Sequence, residues 1–281
     1  MPRGATRMAV SLRGTGQHGA AGAPSDGPAG SPAGSPAGRH DGTYPPLDVP
    51  KPVADGLWVV DSGPQTVLGL TVPVRMTVLR LADGGLFLHS PTRHTPALQA
   101  ALEAIGPIRH LVAPDTAHWL HVSPWRKAVP GAALWAAPGV VERAHGQGVS
   151  LGRAATLSAT PPPDWAGEMA QALFSGPGFT EIAFHHRPSR TLVLTDTVQA
   201  LERSRLGLAT RLVAGLVGSA TEGGTTPAHL RLILGWRRAA NRAAAEALLA
   251  LAPERVIFAH GAPFERDGAA RLRAALGWLL D

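Results

Sequence analysis

The stretch that decides the fold is Phe184-His185-His186-Arg187-Pro188-Ser189-Arg190-Thr191-Leu192-Val193-Leu194-Thr195-Asp196. An apolar segment ends in two histidines, a short polar segment containing a proline follows, and a second apolar run ends at an aspartate. This pattern predicts a strand, a tight turn and a second strand. It places a nitrogen ligand, His186, before the turn and an oxygen ligand, Asp196, where the second strand ends.

A third ligand-type residue follows a later apolar run. The segment Arg255-Val256-Ile257-Phe258-Ala259 is typical of a strand, and it leads to His260 in a loop that contains Gly261. Three ligand-type side chains in loops beside apolar strands are what a metal site on a β scaffold needs. The chain has no cysteine, which excludes disulfides, thiolate nucleophiles, Cys-ligated zinc and iron–sulfur clusters. Histidine and carboxylate would therefore hold any metal.

Composition indicates a folded chain with a substantial core, since 44% of its 281 residues are apolar. The net charge is +6, and the basic residues are nearly all arginines dispersed along the sequence. A nucleic-acid-binding surface concentrates its charge on one face, so we expect no nucleic-acid partner. No segment has the pattern of a signal peptide or the roughly 18 apolar residues of a spanning helix. We therefore expect a cytoplasmic protein without a membrane partner.

Residues 1–45 differ from the rest of the chain in composition. They are rich in glycine, alanine, proline and serine, and they contain the repeat Gly30-Ser31-Pro32-Ala33-Gly34-Ser35-Pro36-Ala37-Gly38. Too few large apolar groups are present to offset the entropy of ordering, which predicts a disordered tail. A functional linker and a start codon downstream of Met1 are alternatives that the sequence leaves open. The folded domain is predicted over residues 46–281.

Strands and helices alternate along the predicted domain. Strands at 74–81 and 86–89 flank the turn Asp83-Gly84-Gly85, and Thr95 caps a helix that precedes a strand at 108–113. A second helix and strand follow, then a long loop at 146–166, a run of strands, one or two helices over residues 198–217, a further helix, and a final strand and helix. This order predicts an α/β (α+β) protein with two packed sheets and helices outside them.

Four short segments resemble, in their order and spacing, the metallo-β-lactamase-fold superfamily. They are Arg75-Met76-Thr77-Val78 with Leu86-Phe87-Leu88-His89-Ser90-Pro91, then Ala113-Pro114-Asp115-Thr116-Ala117-His118, His186-Arg187-Pro188-Ser189-Arg190-Thr191-Leu192, and Ala259-His260-Gly261. More narrowly, residues 50–281 resemble a poorly characterised branch of that superfamily, known as a domain of unknown function. The resemblance implies an αββα sandwich.

The superfamily motif His-x-His-x-Asp-His is degenerate in this chain. The corresponding loop reads Pro114-Asp115-Thr116-Ala117-His118-Trp119-Leu120-His121. One alignment places His118 and His121 on the second and last histidines of the motif. The other follows the branch pattern Pro-Asn-x-x-His-His, which keeps His118 and also matches Trp125, and we favour it. Either alignment leaves the two-metal ligand set incomplete and so indicates a mononuclear site.

The resemblance implies that His118, His186, Asp196 and His260 bind one divalent ion. Zinc is the first choice for three nitrogens and one oxygen, with iron and manganese as alternatives. Asp115 is the candidate catalytic residue, because it could orient the nucleophile. The remaining candidates are Arg187 and Arg190, which could bind an anionic substrate because guanidinium groups match carboxylate and phosphate.

These residues favour a metal-dependent hydrolase. A metal-bound hydroxide would attack a small ester, lactone, thioester, amide or phosphoester. The alternative is a catalytically inactive member of the superfamily that acts as a ligand-binding or interaction module, in which the same side chains satisfy one another by hydrogen bonds. The sequence leaves the substrate and the oligomeric state open.

Overall fold

The computed structural model describes residues 42–67, 70–216 and 223–281. Most of the predicted disordered tail lies outside these ranges. Residues 42–45, which we assigned to the tail, contact the domain. The backbone N–H of Gly42 donates to the carbonyl of Arg205 at 2.8 Å, and Lys51 Nζ donates to the carbonyl of Tyr44 at 2.7 Å. Residues 42–45 therefore belong with the described domain rather than with the tail.

The first sheet contains seven strands in sequential order. They are β1 (Lys51–Ala54), β2 (Leu57–Val67), β3 (Leu70–Arg80), β4 (Leu86–His89), β5 (Ile108–Ala113), β6 (Ala133–Ala136) and β7 (Ala155–Thr156). Strands β1 to β4 pair antiparallel, whereas β4 to β7 pair parallel. Parallel neighbours need crossover connections, and three helices supply them: α1 (Pro96–Glu103), α2 (Val122–Ala128) and α3 (Val140–Gly146). The predicted βαβ units are confirmed.

The second sheet has four strands in the order β11-β10-β9-β8. They are β8 (Met169–Gly176), β9 (Phe179–His186), β10 (Thr191–Val193) and β11 (Arg255–Ile257). Strand β10 runs antiparallel to β9 and parallel to β11. Because β10 and β11 share a direction and pair Val193 with Ile257, the loops that follow them leave the same edge of the sheet. Those loops carry Asp196 and His260 at equivalent positions, three residues past each strand.

Five helices follow the second hairpin: α4 (Leu208–Leu216), α5 (Ala228–Gly235), α6 (Arg238–Ala250), α7 (Gly268–Ala275) and α8 (Gly277–Leu280). The sequence predicted one or two helices over residues 198–217. Helix α4 lies within that range, but Gln199 and Ala200 form isolated bridges with Thr225 and Gly261. Among the described residues, no helix has both the length and the apolar composition that a membrane-spanning segment needs.

Two apolar cores organise the layers. Between the sheets, the ring of Phe87 packs against Phe184 and Trp165, with centroids 5.3 and 5.0 Å away. Outside the second sheet, Phe258 packs in a cluster with helical residues such as Leu248 and Leu272. The result is an αββα sandwich, as predicted.

The loop after β5 connects the two sheets at one rim. The N–H of Thr116 donates to the carbonyl of Thr180 at 3.2 Å, and the N–H of Ile182 donates to the carbonyl of Pro114 at 2.8 Å. These bonds attach the end of a first-sheet strand to β9 of the second sheet. His118, two residues further on, is thereby brought to the edge from which Asp196 and His260 emerge.

Candidate metal centre

Three side chains from three separate loops converge at this rim. Asp196 Oδ1 lies 3.5 Å from His118 Nε2 and 3.3 Å from His260 Nε2, and the two nitrogens are 3.2 Å apart. Ligand atoms at about 2.1 Å from a tetrahedral ion are about 3.4 Å from one another. Two imidazole nitrogens and one carboxylate oxygen at this spacing fit a zinc-type ion.

Hydrogen bonds on the far side of both rings orient the imidazoles. His260 Nδ1 donates to the carbonyl of Pro73 on β3 at 2.6 Å, so Nδ1 carries a proton and Nε2 faces Asp196 and His118. His118 Nδ1 is hydrogen-bonded to the hydroxyl of Ser90, just after β4, at 2.7 Å. Metal-binding histidines commonly use their second nitrogen in this way, because the bond fixes the tautomer and the ring orientation.

Asp115 lies beside this group and is buried. Its Oδ1 accepts hydrogen bonds from the backbone N–H groups of Ala117 at 2.5 Å and His118 at 2.7 Å. Its Oδ2 has no hydrogen-bond partner among the described residues and lies 3.9 Å from His118 Nε2. Burial raises the pKa of Asp115, while the nearby imidazole of His118 opposes that shift. This buried oxygen, 3.9 Å from the His118 ring nitrogen and without a hydrogen-bond partner among the described residues, is available to a ligand or a water.

The group is strongly acidic for a site that contains two histidines. Burial disfavours the charged form of His118, but Asp115 and Asp196 outweigh it and raise the pKa of His118 to about 9. Burial raises the pKa of Asp196, yet His118 and His260 outweigh burial and hold that pKa well below its usual value. The carboxylates therefore stabilise a positive charge at this point, either a proton on His118 or a bound cation.

His186 does not join the group, which corrects the four-ligand set predicted from the sequence. It pairs with Thr191, the first residue of β10, whereas Asp196 follows the other end of that strand. His186 precedes the hairpin turn and Asp196 follows the returning strand, so the length of β10 separates the two side chains. His186 Nδ1 is hydrogen-bonded to Ser189 Oγ at 2.8 Å, and its buried Nε2 has no described partner.

The two candidate arginines lie in the turn beside His186. Arg190 pairs with Glu254 at 2.7 Å, and both side chains are about half exposed. The backbone N–H of Arg187 donates to the carbonyl of Glu168. These residues therefore sit at the end of β10 away from Asp196. His121, the last histidine in one of the two motif alignments, is at the N-terminus of α2 and is not in the convergent group either.

Two buried charged residues that sequence reasoning missed contact the loops of the convergent group. Glu181 on β9 accepts hydrogen bonds from the backbone N–H groups of residues 195–197 and from the Thr197 hydroxyl, at 2.7 to 3.0 Å. Arg75 on β3 donates to the carbonyls of Phe258 at 3.1 Å and Gly261 at 2.6 Å. The available signal was a charged residue inside each predicted strand: Glu181 precedes the apolar segment Ile182-Ala183-Phe184, and Arg75 lies between Val74 and Met76.

Comparison with solved structures places this fold among metallo-β-lactamases. The metallo-β-lactamase from Pontibacter korlensis is 14% identical with a TM-score of 0.54, and the match covers 83% of this chain and 98% of that one. FIM-1 from Pseudomonas aeruginosa, in its mono-zinc form, is 13% identical with a TM-score of 0.54 and coverages of 82% and 94%. The enzyme from Hirschia baltica is 15% identical with a TM-score of 0.53 and coverages of 82% and 96%.

Comparisons at the level of sequence match one family model and no curated protein. The family model, described as "Domain of unknown function (DUF4336)", matches residues 54–245, which contain His118 and Asp196 but not His260. With a match over this much of the chain, and an αββα sandwich similar to that of metallo-β-lactamases, the protein belongs to the DUF4336 family.

Proposed function

We propose that this protein is a metal-dependent hydrolase that uses one divalent ion, zinc first among the candidates, held by His118, Asp196 and His260. The observation that carries the proposal is the convergence of three ligand atoms, all within 4.8 Å of one another, from three loops. The hydrogen bonds on Nδ1 of both imidazoles support it, because they leave Nε2 directed at the same point.

Three protein ligands leave one position of a tetrahedral ion for water or substrate, the arrangement of catalytic rather than structural zinc. When bound, such an ion lowers the pKa of a coordinated water and polarises the substrate oxygen. Asp115 would act from the side, since its free Oδ2 can accept a proton or hold a water in place. Its raised pKa favours proton uptake at that oxygen.

A small-molecule substrate fits the exposure of the group. The side chains of His118, Asp196 and His260 are 10%, 14% and 11% exposed, which allows contact with a ligand while limiting solvent. We propose a small ester, lactone, thioester, amide or phosphoester. Arg187 and Arg190 are not proposed to bind it, because they lie at the other end of β10 from Asp196.

Metal analysis of the purified protein tests the proposal. After incubation with zinc, iron or manganese and removal of free ion, we expect one equivalent of bound metal in the wild type and much less in His118→Ala. The matched control is His229→Ala on the exposed surface of α5, which should bind metal like the wild type. A panel of ester, lactone, thioester and phosphoester substrates, with and without chelator, then identifies the reaction.

A wild-type protein without stoichiometric metal would instead support an inactive ligand-binding or interaction module. One observation favours that second candidate: without an ion, the Nε2–H of a protonated His118 can donate to His260 Nε2 at 3.2 Å while the imidazolium pairs with the Asp196 carboxylate at 3.5 Å. It predicts a melting temperature that is the same with added metal and with chelator. A hydrolase of the proposed kind melts at a higher temperature with metal, because the ion binds the folded state.

A further inference from the structure

We propose that Glu181 and Arg75 are positioning residues that hold the loops of Asp196 and His260 in their metal-binding conformation before an ion arrives. The inference rests on the proposed metal site and concerns how its ligands are placed. Neither side chain is in the convergent group, so each would act through the backbone of a ligand-bearing loop.

Glu181 replaces the strand ladder that ends just before Asp196. The last ladder-type bond of this segment runs from the N–H of Leu194 to the carbonyl of Ile257 at 2.8 Å. The next three backbone N–H groups, in residues 195–197, donate to the Glu181 carboxylate at 2.7, 3.0 and 2.7 Å. A buried carboxyl group is costly unless it is hydrogen-bonded, and these bonds satisfy it.

The convergence of three consecutive N–H groups on one carboxylate determines the path of the loop. In an extended strand, successive N–H groups point to opposite sides, so they cannot all reach one acceptor. The backbone must therefore curl around Glu181, as it does in anion-binding nests. This curl ends β10 and directs the Asp196 side chain toward His118 and His260, at 3.5 and 3.3 Å.

Arg75 holds the His260 loop in a similar way, but as a cation that donates to backbone carbonyls. Its buried guanidinium pairs with Asp61 at 2.8 Å and donates to carbonyls on both sides of His260, those of Phe258 and Gly261. Two residues earlier on the same strand, the carbonyl of Pro73 accepts from His260 Nδ1. Strand β3 thus holds both the backbone and the ring of this ligand.

The inference predicts a loss of metal affinity without removal of any ligand. Glu181→Gln keeps the shape of the side chain but places an amide donor against N–H donors, and Arg75→Met removes the donors to the His260 loop. We expect each variant to bind zinc about 10–100-fold more weakly, the range in which partners of metal ligands act. Thr197→Val, which removes only the hydroxyl bond to Glu181, is a milder variant and should weaken binding less.

Asn241→Ala is the matched control. Asn241 on α6 is also buried and makes three backbone hydrogen bonds, one with the N–H and one with the carbonyl of Ser175 and one with the carbonyl of Leu234. Its loss should lower the melting temperature but leave zinc affinity unchanged. Zinc affinity would be measured by competition with a chromophoric chelator on full-length proteins whose metal-free melting curves are recorded in parallel. The inference is overturned if Glu181→Gln binds as tightly as wild type, or if Asn241→Ala loses affinity equally.

Amide hydrogen exchange in the metal-free protein separates this inference from the proposed function. We expect the amides of residues 195–197 to exchange at least tenfold faster in Glu181→Gln than in wild type, to change less in Thr197→Val, which keeps the three N–H bonds, and to be unaffected in Asn241→Ala. A wild type that binds none of zinc, iron and manganese refutes the proposed hydrolase, whereas unchanged exchange at these amides in Glu181→Gln refutes the positioning role whether or not metal binds.

Discussion

Strand β10 has a ligand-type environment at each end, and the two ends differ in what surrounds them. Beyond Val193, the carboxylate of Asp196 meets two imidazoles from other loops within 3.5 Å. Beside Thr191, His186 has a hydroxyl partner, Ser189, and a buried nitrogen without one. The same strand thus ends in a convergent group on one side and in an isolated hairpin on the other.

The charge of the histidines follows the same division. At the Asp196 end, carboxylates raise the pKa of His118 to about 9 against the effect of burial. At the turn end, burial lowers the pKa of His185 to about 4, and the neighbouring Arg187 adds to the shift. A buried imidazole near carboxylates favours a cation, whereas one near arginines stays neutral. The comparison therefore indicates that acidic partners, rather than the number of histidines, distinguish the convergent group of His118, Asp196 and His260 from the turn end.

Replacing one histidine near each end of β10 should give the largest difference in zinc affinity. We expect His260→Ala to weaken zinc binding by more than about 100-fold, beyond the cost of losing an outer partner, because it removes a ligand atom. His186→Ala should change affinity less than about threefold, since this ring lies outside the group. Calorimetric titration of both proteins with zinc measures the difference. Equal losses in the two variants would contradict the division between the ends.

The hydroxyl partners provide a smaller and closely matched contrast. Ser90 is hydrogen-bonded to His118 Nδ1 and Ser189 to His186 Nδ1, at 2.7 and 2.8 Å. Ser90→Ala should weaken zinc binding about tenfold, because the His118 ring loses the bond that orients it. Ser189→Ala should have no measurable effect on affinity. A reversed order of the two would show that the wrong histidine has been assigned to the metal.

The smallest expected effect is a change with pH in the free energy of unfolding, caused by His185 at the turn end of β10. The pKa of His185 is about 4 in the folded protein against a usual value of 6.5, so the unfolded state binds a proton that the folded state does not. Its contribution to stability is therefore present above pH 6.5 and is lost as the pH falls toward 4. Between pH 6.5 and 5.5 the expected loss is about 1 kcal/mol.

His185→Leu is the variant for this measurement. Its free energy of unfolding, from urea titrations on the metal-free protein, should decline less steeply over that pH interval than the wild-type value. Parallel curves for the two proteins would show that His185 does not remain neutral in the folded state.

Much of the fold could be predicted because its signals are local. Alternation of apolar residues, the turn Asp83-Gly84-Gly85 and the cap at Thr95 each involve neighbours in sequence, and the corresponding strands and helix are present. The region after Val198 was predicted less well. There, Gln199 and Ala200 pair with Thr225 and Gly261, which are distant in sequence, so an apolar run that suits a helix became irregular backbone.

The candidate site was only partly predictable for the same reason. Residue type and position after a strand identified Asp196 and His260, and parallel pairing of β10 with β11 brings them together. His186 was grouped with them by residue type, although the hairpin that contains it separates it from Asp196. Glu181 belongs to no recognised motif, and Arg75 begins a family-resembling segment without any sign of its role, because most partners of both side chains are backbone groups and any sequence has those.

The sequence by itself determined the layered α/β architecture, the absence of cysteine ligands and the candidate histidines and aspartates, since these depend on residue chemistry and short-range periodicity. The tertiary structure decided which of the candidates meet. Strand direction and register place His118, Asp196 and His260 at one rim and leave His186 at the opposite end of β10. Buried charges then shape the two loops, and contacts between residues so far apart along the chain form only when both sheets are packed.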